Sequence, residues 1–459
     1  MIKRMFSTFR LRDPVDVGVA LIGGSAAAAA GVALGWGKSA WIIVILSGLA
    51  GCLAIIRRPA LGVALILTLA PLEDFLIIQG QTAVMLAALL VAAIFAVQVA
   101  IRRRLLVDST AVMAAALIMW ALATILWSPD KDSSASNWIS FALVGLLYLL
   151  LINLIESKED LKLALWGHVI GGSILSLIVT KALMAHDFAR SEFVLGYGIN
   201  LVSRLIGLNL LLSMLLYELE RHFLRKVALF LAAVLAGIGV AVTLSRGTWL
   251  GVLASVVILG LTGAFSGRRR LPVGKLLLLC LGGVILIYIL NTYLFDQHGL
   301  WKLTERFQSG VTLSDSGGGR LKIWRVAWQV FTDAPIWGHG YNSFKYEYTR
   351  YLDTGGDIKN AHNAYVLMGC ELGMVGVVLF IAVLLTVFAK VWRLFSAKGV
   401  NGAAIAPWCM ALFAFVFVAT MVDSAVERKY VWYTLGLITL LTRFYSDTQS
   451  TDNRAFPRA

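Results

Sequence analysis

Long apolar runs alternate with short polar segments along almost the whole chain. A helix needs about 20 mostly apolar residues to cross a bilayer, and about fourteen runs approach that length. They lie near residues 16–35, 39–56, 60–78, 82–101, 110–127, 138–155, 162–182, 200–217, 227–244, 247–265, 275–294, 364–389, 405–422 and 430–444. Several are short enough to be half-helices. The pattern therefore predicts an all-α polytopic membrane protein with about 12 to 14 transmembrane helices.

The distribution of positive charge gives these helices an orientation. Cytoplasmic loops of membrane proteins carry an excess of Lys and Arg. If the N-terminus is cytoplasmic, most of the basic loops fall on that side, at residues 57–58, 102–104, 156–162, 218–226, 268–275 and 390–398. Both termini are then predicted to be cytoplasmic, and residues 128–137 and 295–361 lie on the outer face. Removing two neighbouring segments would leave this assignment unchanged.

One long polar stretch, residues 295–361, interrupts the apolar pattern. Within it, Arg320–Trp337 repeats apolar and aromatic residues at helical spacing. This predicts an amphipathic helix that lies on the membrane surface or packs on the bundle. Residues 315–319 are predicted to be a flexible entry, and Pro335–Asn342 a turn. Its aromatic residues can stack on sugars or sit at the membrane interface; they are Trp324, Trp328, Trp337 and Tyr341.

The chain divides into four predicted regions on this pattern. They are N-terminal transmembrane helices over 1–294, a large outer loop over 295–361, C-terminal transmembrane helices over 362–445 and a tail over 446–459. Hydrophobic residues make up 59% of the chain and charged residues 14%, against about 25% charged in an average soluble domain. The net charge of +14 is concentrated in short loops. We therefore expect the bilayer as a partner, and no nucleic acid.

Arginines on the outer face are the first candidates for chemistry. Arg204 lies about one turn into an apolar segment, Arg246 at the outer junction of two segments, and Arg320 in the long loop. Arginine inside or beside a span costs several kcal/mol and usually faces a cavity or a partner. Its planar fork also binds phosphate oxygens. The three arginines are predicted to bind a pyrophosphate together; snorkelling or pairing with Asp or Glu is the alternative.

Two histidines are candidate general bases. His362 opens an apolar segment directly after the long loop, and His339 lies between two glycines. Neutral imidazole is the usual general base near neutral pH. Arg325, Arg350 and Asn363 are candidates of secondary interest beside them. The sequence leaves open which of His362 and His339 accepts the proton.

No metal or nucleotide site is predicted. Asp130 and Asp132 form an Asp-X-Asp of the kind that holds a divalent cation in some glycosyltransferases, but a solvated loop is the favoured interpretation of these three residues. The chain lacks a zinc-ligand pattern, a P-loop and a dinucleotide-binding fingerprint. A reaction on the outer face would then take its bond energy from an activated lipid-linked substrate.

Several motifs together resemble those of bacterial O-antigen ligases. His362-Asn363, nine residues, then Gly373-Met374-Val375-Gly376 fits the pattern H-[NSQ]-X9-G-X-X-[GTY], and Arg204–Leu208 fits R-X3-L. The segments Ser245–Gly247, Arg320–Trp324 and Pro335–Phe344 resemble the core shared by O-antigen ligases, O-antigen polymerases and O-oligosaccharyltransferases. The resemblance covers about residues 240–376, with weaker support upstream from Arg204.

The resemblance implies a C-type membrane glycosyltransferase fold with about twelve transmembrane helices. It also implies a place in the Gram-negative inner membrane, with the active site facing the periplasm. The donor would be O-antigen on undecaprenyl pyrophosphate, and the acceptor a sugar hydroxyl of lipid A–core in lipopolysaccharide biosynthesis. His362 would act as the base, and Arg204, Arg246 and Arg320 would stabilise the leaving pyrophosphate. No cofactor is implied.

Other functions stay open at this point. An O-antigen polymerase performs the same chemistry on a lipid-linked acceptor, and an O-oligosaccharyltransferase performs it on protein. A transporter of polysaccharides or anionic lipids would also use outer arginines. A transporter should in addition carry polar residues near the bilayer midplane, whereas here the polar residues concentrate at the outer interface and in one loop.

Overall fold

A computed structural model describes residues 51, 53–78, 81–102, 104–185, 193–194, 197–243, 245–265, 317–351, 360–397, 400–424 and 426–446. The predicted spans 16–35 and 275–294, and most of 39–56, lie outside the described residues. So do residues 295–316 of the long loop and the tail beyond residue 446.

The described residues are almost entirely helical. The helices are α1 (Ala60–Leu69), α2 (Ala83–Arg102), α3 (Ser109–Thr124), α4 (Lys131–Leu154), α5 (Lys158–Ala185), α6 (Ile199–Leu219), α7 (Phe223–Val242), α8 (Arg246–Phe265), α9 (Gly317–Asp333), α10 (Phe344–Arg350), α11 (Ala364–Ser396), α12 (Val400–Val422) and α13 (Lys429–Tyr445). Eight helices among the described residues are long and apolar enough to cross a membrane. This confirms a helical, polytopic chain; the total of about twelve stays a prediction.

Two very short antiparallel strand pairs occur among the described residues. In the first, β1 (Ile77–Ile78) pairs with β2 (Gln81–Thr82). In the second, β3 (Phe193–Val194) pairs with β4 (Tyr197–Gly198). Both lie between apolar helices, where the sequence pattern shows no strand signal.

The smaller of two compact units contains Met1–Leu105 and Leu150–Gly172. Its predicted span 60–78 is wrong as a single helix, because α1 gives way to a 3-10 turn over Ala70–Phe75. Pro71 lies in that turn and has no N–H to donate to the carbonyl four residues earlier, which ends the α-helix. Helix α5 packs closely on α1: a Cβ added at Gly171 would lie 2.0 Å from the Thr68 carbonyl oxygen.

The larger unit contains Leu106–Leu149 and Ser173–Ala459, and all the candidate site residues belong to it. Helix α11 packs on α3, α12 and α13, while α8 packs on α12 and α6, and α6 on α7. Glycines allow close approach of these helices. The buried ring of Phe415 in α12 lies 3.2 Å from a Cβ added at Gly207 and 3.1 Å from one at Gly251.

A polar network links several helices of the larger unit near the C-terminal end of α11. Lys390 Nζ donates to Asp108 Oδ2 at 2.5 Å and to Thr110 Oγ1 at 2.7 Å. The Tyr148 hydroxyl donates to the same Asp108 oxygen at 2.9 Å and lies 3.1 Å from Thr439 Oγ1. Because each charged group has a partner, the ends of α3, α4, α11 and α13 are held together without an isolated buried charge.

Candidate active site

Helix α11 is interrupted at Gly373, whose φ of 65° and ψ of −168° are not helical. In a regular helix, the N–H groups of Met374 and Val375 would donate to the carbonyls of Cys370 and Glu371. The change of backbone direction at Gly373 separates these pairs. Four backbone groups therefore need other partners.

The turn that follows α9 supplies those partners. The N–H groups of His339 and Gly340 donate to the Cys370 and Glu371 carbonyls, at 3.0 and 2.9 Å. In return, Met374 N–H donates to Pro335 O at 2.8 Å and Val375 N–H to Ile336 O at 3.4 Å. The predicted turn Pro335–Asn342 is thus confirmed. Backbone hydrogen bonds connect this turn directly to α11.

Glycine is required on both sides of this junction. Gly338 has a φ of 70°, and a Cβ there would lie 2.3 Å from the Glu371 carbonyl oxygen. A Cβ at Gly373 would lie 2.2 Å from the Ile336 carbonyl oxygen. Only glycine adopts a positive φ at this close approach without strain. The backbone conformation and close packing of this junction therefore explain why the His-Asn-X9-Gly pattern has glycine at Gly373.

Tyr341 fixes the same turn on the bundle. Its N–H donates to Thr124 Oγ1 at 3.0 Å, and its carbonyl accepts from Ser134 Oγ at 2.6 Å. Its ring stacks on Phe141, with centroids 5.8 Å apart, and its hydroxyl donates to Glu427 Oε1 at 2.6 Å. Tyr341 is 3% exposed, so the structure gives it a packing role rather than a sugar-stacking one.

Electrostatics keep the Tyr341 hydroxyl in its donor form. Burial raises the pKa of Tyr341 above its ordinary value, and the charges of Glu427 and Glu371 raise it further. Burial also raises the pKa of Glu427, against the hydrogen bond from Tyr341 and the positive charges of Arg428 and Lys345. Tyr341 is consequently neutral across the physiological pH range, and its hydroxyl donates a hydrogen bond to Glu427.

The amphipathic helix of the long loop is confirmed as α9, and it packs on the bundle. Ile323, Ala327 and Val330 form a buried cluster with residues of α10 and with Cys370 of α11. The helix begins at Gly317, so the flexible entry predicted over residues 315–319 is wrong for its last three residues. Burial of the apolar face stabilises the helix despite three consecutive glycines in its first turn.

The docked α9 positions the segment that carries His362. Trp324 Nε1 donates to the Ala361 carbonyl at 2.9 Å. Asn363 then caps α11, and its Oδ1 accepts from Tyr365 N–H at 2.9 Å. His362, between these two anchors, is half buried and has a φ of 49°. A positive φ is uncommon for a residue other than glycine and is found where the surroundings determine the backbone.

The cap predicts a measurable structural effect for Asn363. Replacement by Ala removes the acceptor for Tyr365 N–H and Val366 N–H, and loss of such a cap costs about 1 kcal/mol. Asn363→Ser keeps an acceptor, so we expect Asn363→Ala to melt at a lower temperature than Asn363→Ser in detergent-solubilised protein. Equal melting temperatures for Asn363→Ala and wild type would show that the cap contributes no stability.

His339, the second candidate base, forms a hydrogen bond through one ring nitrogen and lies near a carboxylate with the other. Its Nε2 lies 2.8 Å from the Val330 carbonyl oxygen, so this nitrogen carries the proton. Its Nδ1 lies 3.8 Å from Glu347 Oε2, which also accepts from Arg350 Nη1 at 2.7 Å. The structure thus brings His339 and Arg350 together through Glu347, and both bind within the loop. Their roles in chemistry stay predictions.

The candidate arginines lie in two places. Arg204 is 2% exposed; its Nη1 contacts Asp423 Oδ2 at 2.5 Å and its Nη2 donates to Val422 O at 3.4 Å. This is the carboxylate pairing that the sequence left as an alternative. A Cβ added at Gly247 would lie 3.7 Å from Arg204 Nη2. The guanidinium therefore lies beside the junction that carries Arg246.

The remaining arginines stand at helix positions closer to solvent. Arg246 is exposed as the first residue of α8. Arg320 is half buried in the first turn of α9, and Arg325 is exposed further along that helix. Pyrophosphate binding by Arg204, Arg246 and Arg320 stays a prediction.

Sequence reasoning missed the acids of the loop between α12 and α13. Asp423 contacts Arg204, and Glu427 accepts from Tyr341. A usable signal was present: both acids follow an apolar run on the side predicted to hold the candidate arginines. Acids directly beside a membrane span are expected to pair with cations or hydroxyls.

The Asp-X-Asp sequence begins a helix. Asp130 Oδ1 accepts from Ser133 N–H at 3.0 Å, and Asp132 lies in the first turn of α4. Carboxylates are favourable at a helix N-terminus, where N–H groups lack partners. The outer loop predicted over residues 128–137 is therefore mostly helix.

These features define a class of polytopic helical membrane protein. In it, a basic loop docks through backbone contacts on a transmembrane helix that is interrupted at a glycine, and a half-buried histidine precedes that helix. The model of the O-antigen ligase family matches residues 231–381. Over this range, the chain is therefore similar to the O-antigen ligase family. The matched range includes Arg246, the docked α9 and the whole His362–Gly373 pattern.

One curated relative is similar over about half of the chain. An uncharacterised protein of Haemophilus influenzae is 22% identical over 223 residues, which cover 46% of this chain and 53% of the relative. The chain thus spans about half the length of the curated relative that it matches.

Proposed function

We propose that the protein is an O-antigen ligase. It transfers polysaccharide from undecaprenyl pyrophosphate to a sugar hydroxyl of lipid A–core. The observation that carries this proposal is the docked junction inside the family-matched segment. That junction gives the Asn and Gly of the His-Asn-X9-Gly pattern structural roles and sets His362 at the start of α11. His362 is thereby left as the residue of the pattern suited to chemistry.

The reaction is a direct displacement at the anomeric carbon. The acceptor hydroxyl attacks this carbon and loses its proton to the neutral imidazole of His362. The new glycosidic C–O bond forms while the bond from the anomeric carbon to the phosphate oxygen breaks. The electron pair of that bond leaves with undecaprenyl pyrophosphate.

Arginines stabilise the charge that develops on the leaving group. In this proposal Arg246 and Arg320 supply two of the cations, and the buried Arg204 supplies a third. Fixed cations in a partly dry site stabilise developing negative charge more strongly than water does. They take the part that a metal ion plays in other glycosyltransferases, so the proposed reaction needs neither metal nor cofactor. Arg204 exchanges Asp423 for a phosphate oxygen when the donor binds.

The orientation follows from the charge distribution. The basic loops are placed in the cytoplasm with both termini, so α9, α10 and His362 face the periplasm of the Gram-negative inner membrane. In this arrangement the regions 1–294 and 362–445 form a C-type glycosyltransferase bundle of about twelve helices. The region 295–361 is the periplasmic loop, and 446–459 a cytoplasmic tail.

A deletion strain tests the proposed activity against its alternatives. We expect lipid A–core without any polysaccharide, with long polymer retained on undecaprenyl carrier, and restoration by the wild-type chain. Lipopolysaccharide gels and extracts of the carrier lipid measure both. A single repeat on the core would instead identify a polymerase. Normal lipopolysaccharide with an unglycosylated protein would identify an O-oligosaccharyltransferase, and polymer that never reaches the periplasm a transporter.

A further inference from the structure

Three buried polar atoms without a hydrogen-bond partner occur near Asp423. Among the described residues, Arg204 Nε, Ser424 Oγ and the Tyr430 hydroxyl are each buried and make no hydrogen bond. More than nine in ten buried polar groups in proteins are satisfied, so each exception calls for a ligand, a water molecule or a functional reason. Three exceptions in one place are more informative than three scattered ones.

The contacts of Asp423 bring these atoms together. Its Oδ2 contacts Arg204 Nη1 at 2.5 Å, and its Oδ1 accepts from the backbone N–H of Ser424 at 3.0 Å. The charges of Arg204 and Asp423 both act on the hydroxyl of Tyr430, which is 1% exposed. Tyr430 is the second residue of α13. The three atoms therefore share Asp423 as a neighbour, and Tyr430 places one of them in the first turn of a 17-residue helix.

The donor groups near Asp423 favour the binding of an anionic oxygen. A guanidinium N–H, a serine hydroxyl and a tyrosine hydroxyl can all donate. A helix N-terminus also carries a partial positive charge. Asp423 neutralises Arg204, and an anion that replaces it gains all these donors.

We infer that Ser424 and Tyr430 bind, together with Arg204, the pyrophosphate oxygens of a polyprenyl-linked substrate. This inference rests on the proposed function. Both residues lie beyond the matched range of residues 231–381, so they belong to the part of the chain that the family match does not cover. They are binding residues and take no part in proton transfer.

Binding of farnesyl pyrophosphate to the purified full-length protein in nanodiscs tests the inference. We expect Tyr430→Phe and Ser424→Ala each to weaken binding about tenfold or more, because a hydrogen bond to a charged group is lost. Tyr430→Phe should melt at the wild-type temperature or above it, since it removes a buried hydroxyl that has no hydrogen-bond partner among the described residues. A residue with a purely structural role would not give this combination.

Thr434→Val is the matched control. Thr434 is fully buried one turn further along α13, and its hydroxyl donates to the Tyr430 carbonyl at 2.6 Å. Removal of this satisfied hydroxyl should leave farnesyl pyrophosphate binding unchanged. Inorganic pyrophosphate is the second probe, and it distinguishes a lipid headgroup site from a site for free anions.

Each outcome decides the inference separately from the proposed function. Wild-type affinity in Tyr430→Phe and Ser424→Ala, or no binding of either probe to wild type, would overturn it. Weaker binding that is matched by a lower melting temperature would indicate a structural role and also overturn it. Failure of polysaccharide transfer with intact, Tyr430-dependent binding would instead remove the ligase activity and leave this site in place.

Discussion

His362→Ala is expected to abolish polysaccharide transfer while the protein still inserts and folds. General base catalysis contributes about 10²–10⁴-fold to rate, and the acceptor hydroxyl is not otherwise deprotonated near neutral pH. The assay is transfer from lipid-linked polysaccharide to purified lipid A–core. Near-wild-type turnover in His362→Ala would remove His362 as the base.

Two further variants separate chemistry from backbone strain. Asn tolerates the positive φ of residue 362 better than most residues, so His362→Asn should keep the wild-type melting temperature and still fail to transfer. His339→Gln retains a side-chain N–H for the Val330 carbonyl. Activity in His339→Gln assigns the base to His362, whereas loss of activity in a folded His339→Gln protein assigns it to His339.

Gly373→Ala is expected to destroy the docked junction. The added Cβ would lie 2.2 Å from the Ile336 carbonyl oxygen, on a backbone with a φ of 65°. The positive φ alone costs an alanine about 1–2 kcal/mol. Displacement of the turn would also break its backbone hydrogen bonds, and buried unsatisfied groups cost about 1–3 kcal/mol each. We expect little folded protein and no transfer, measured by yield, melting temperature and activity.

Gly237→Ala is the control for this substitution. Gly237 lies inside α7, and an added Cβ there would have no described atom within 4 Å. Alanine is favoured over glycine within a helix by about 1 kcal/mol, so Gly237→Ala should keep or raise the melting temperature. A Gly373→Ala protein with wild-type stability and transfer would show that the turn does not depend on the break in α11.

Helix positions follow closely from the apolar pattern, and the differences have local causes. The predicted span 364–389 and amphipathic helix 320–337 both appear, the first as α11 and the second as α9. Helix α9 ends at Asp333, ahead of Pro335, because proline disfavours helix at the residue before it. Residues 60–78 fail as one span because a single Pro71 ends the α-helix, a local effect that an averaged apolar window does not register.

The candidate site depends on contacts between residues that are distant in sequence. The pattern from His362 to Gly373 marks its location, but no periodicity shows that Gly373 breaks a transmembrane helix to receive Gly338. The pairing of Arg204 with Asp423 joins residues 219 positions apart. Tertiary packing decides such pairs, so the sequence could name Arg204 as a candidate without naming its partner.

We propose that His362 is the general base of a metal-independent transfer of lipid-linked polysaccharide to lipid A–core. The most direct measurement is transfer by purified wild-type and His362→Asn proteins in nanodiscs, in buffer containing EDTA. We expect core-linked polysaccharide with the wild-type protein and none with His362→Asn at an unchanged melting temperature. Turnover by His362→Asn, or a strict requirement of the wild-type protein for Mg²⁺ or Mn²⁺, would contradict it.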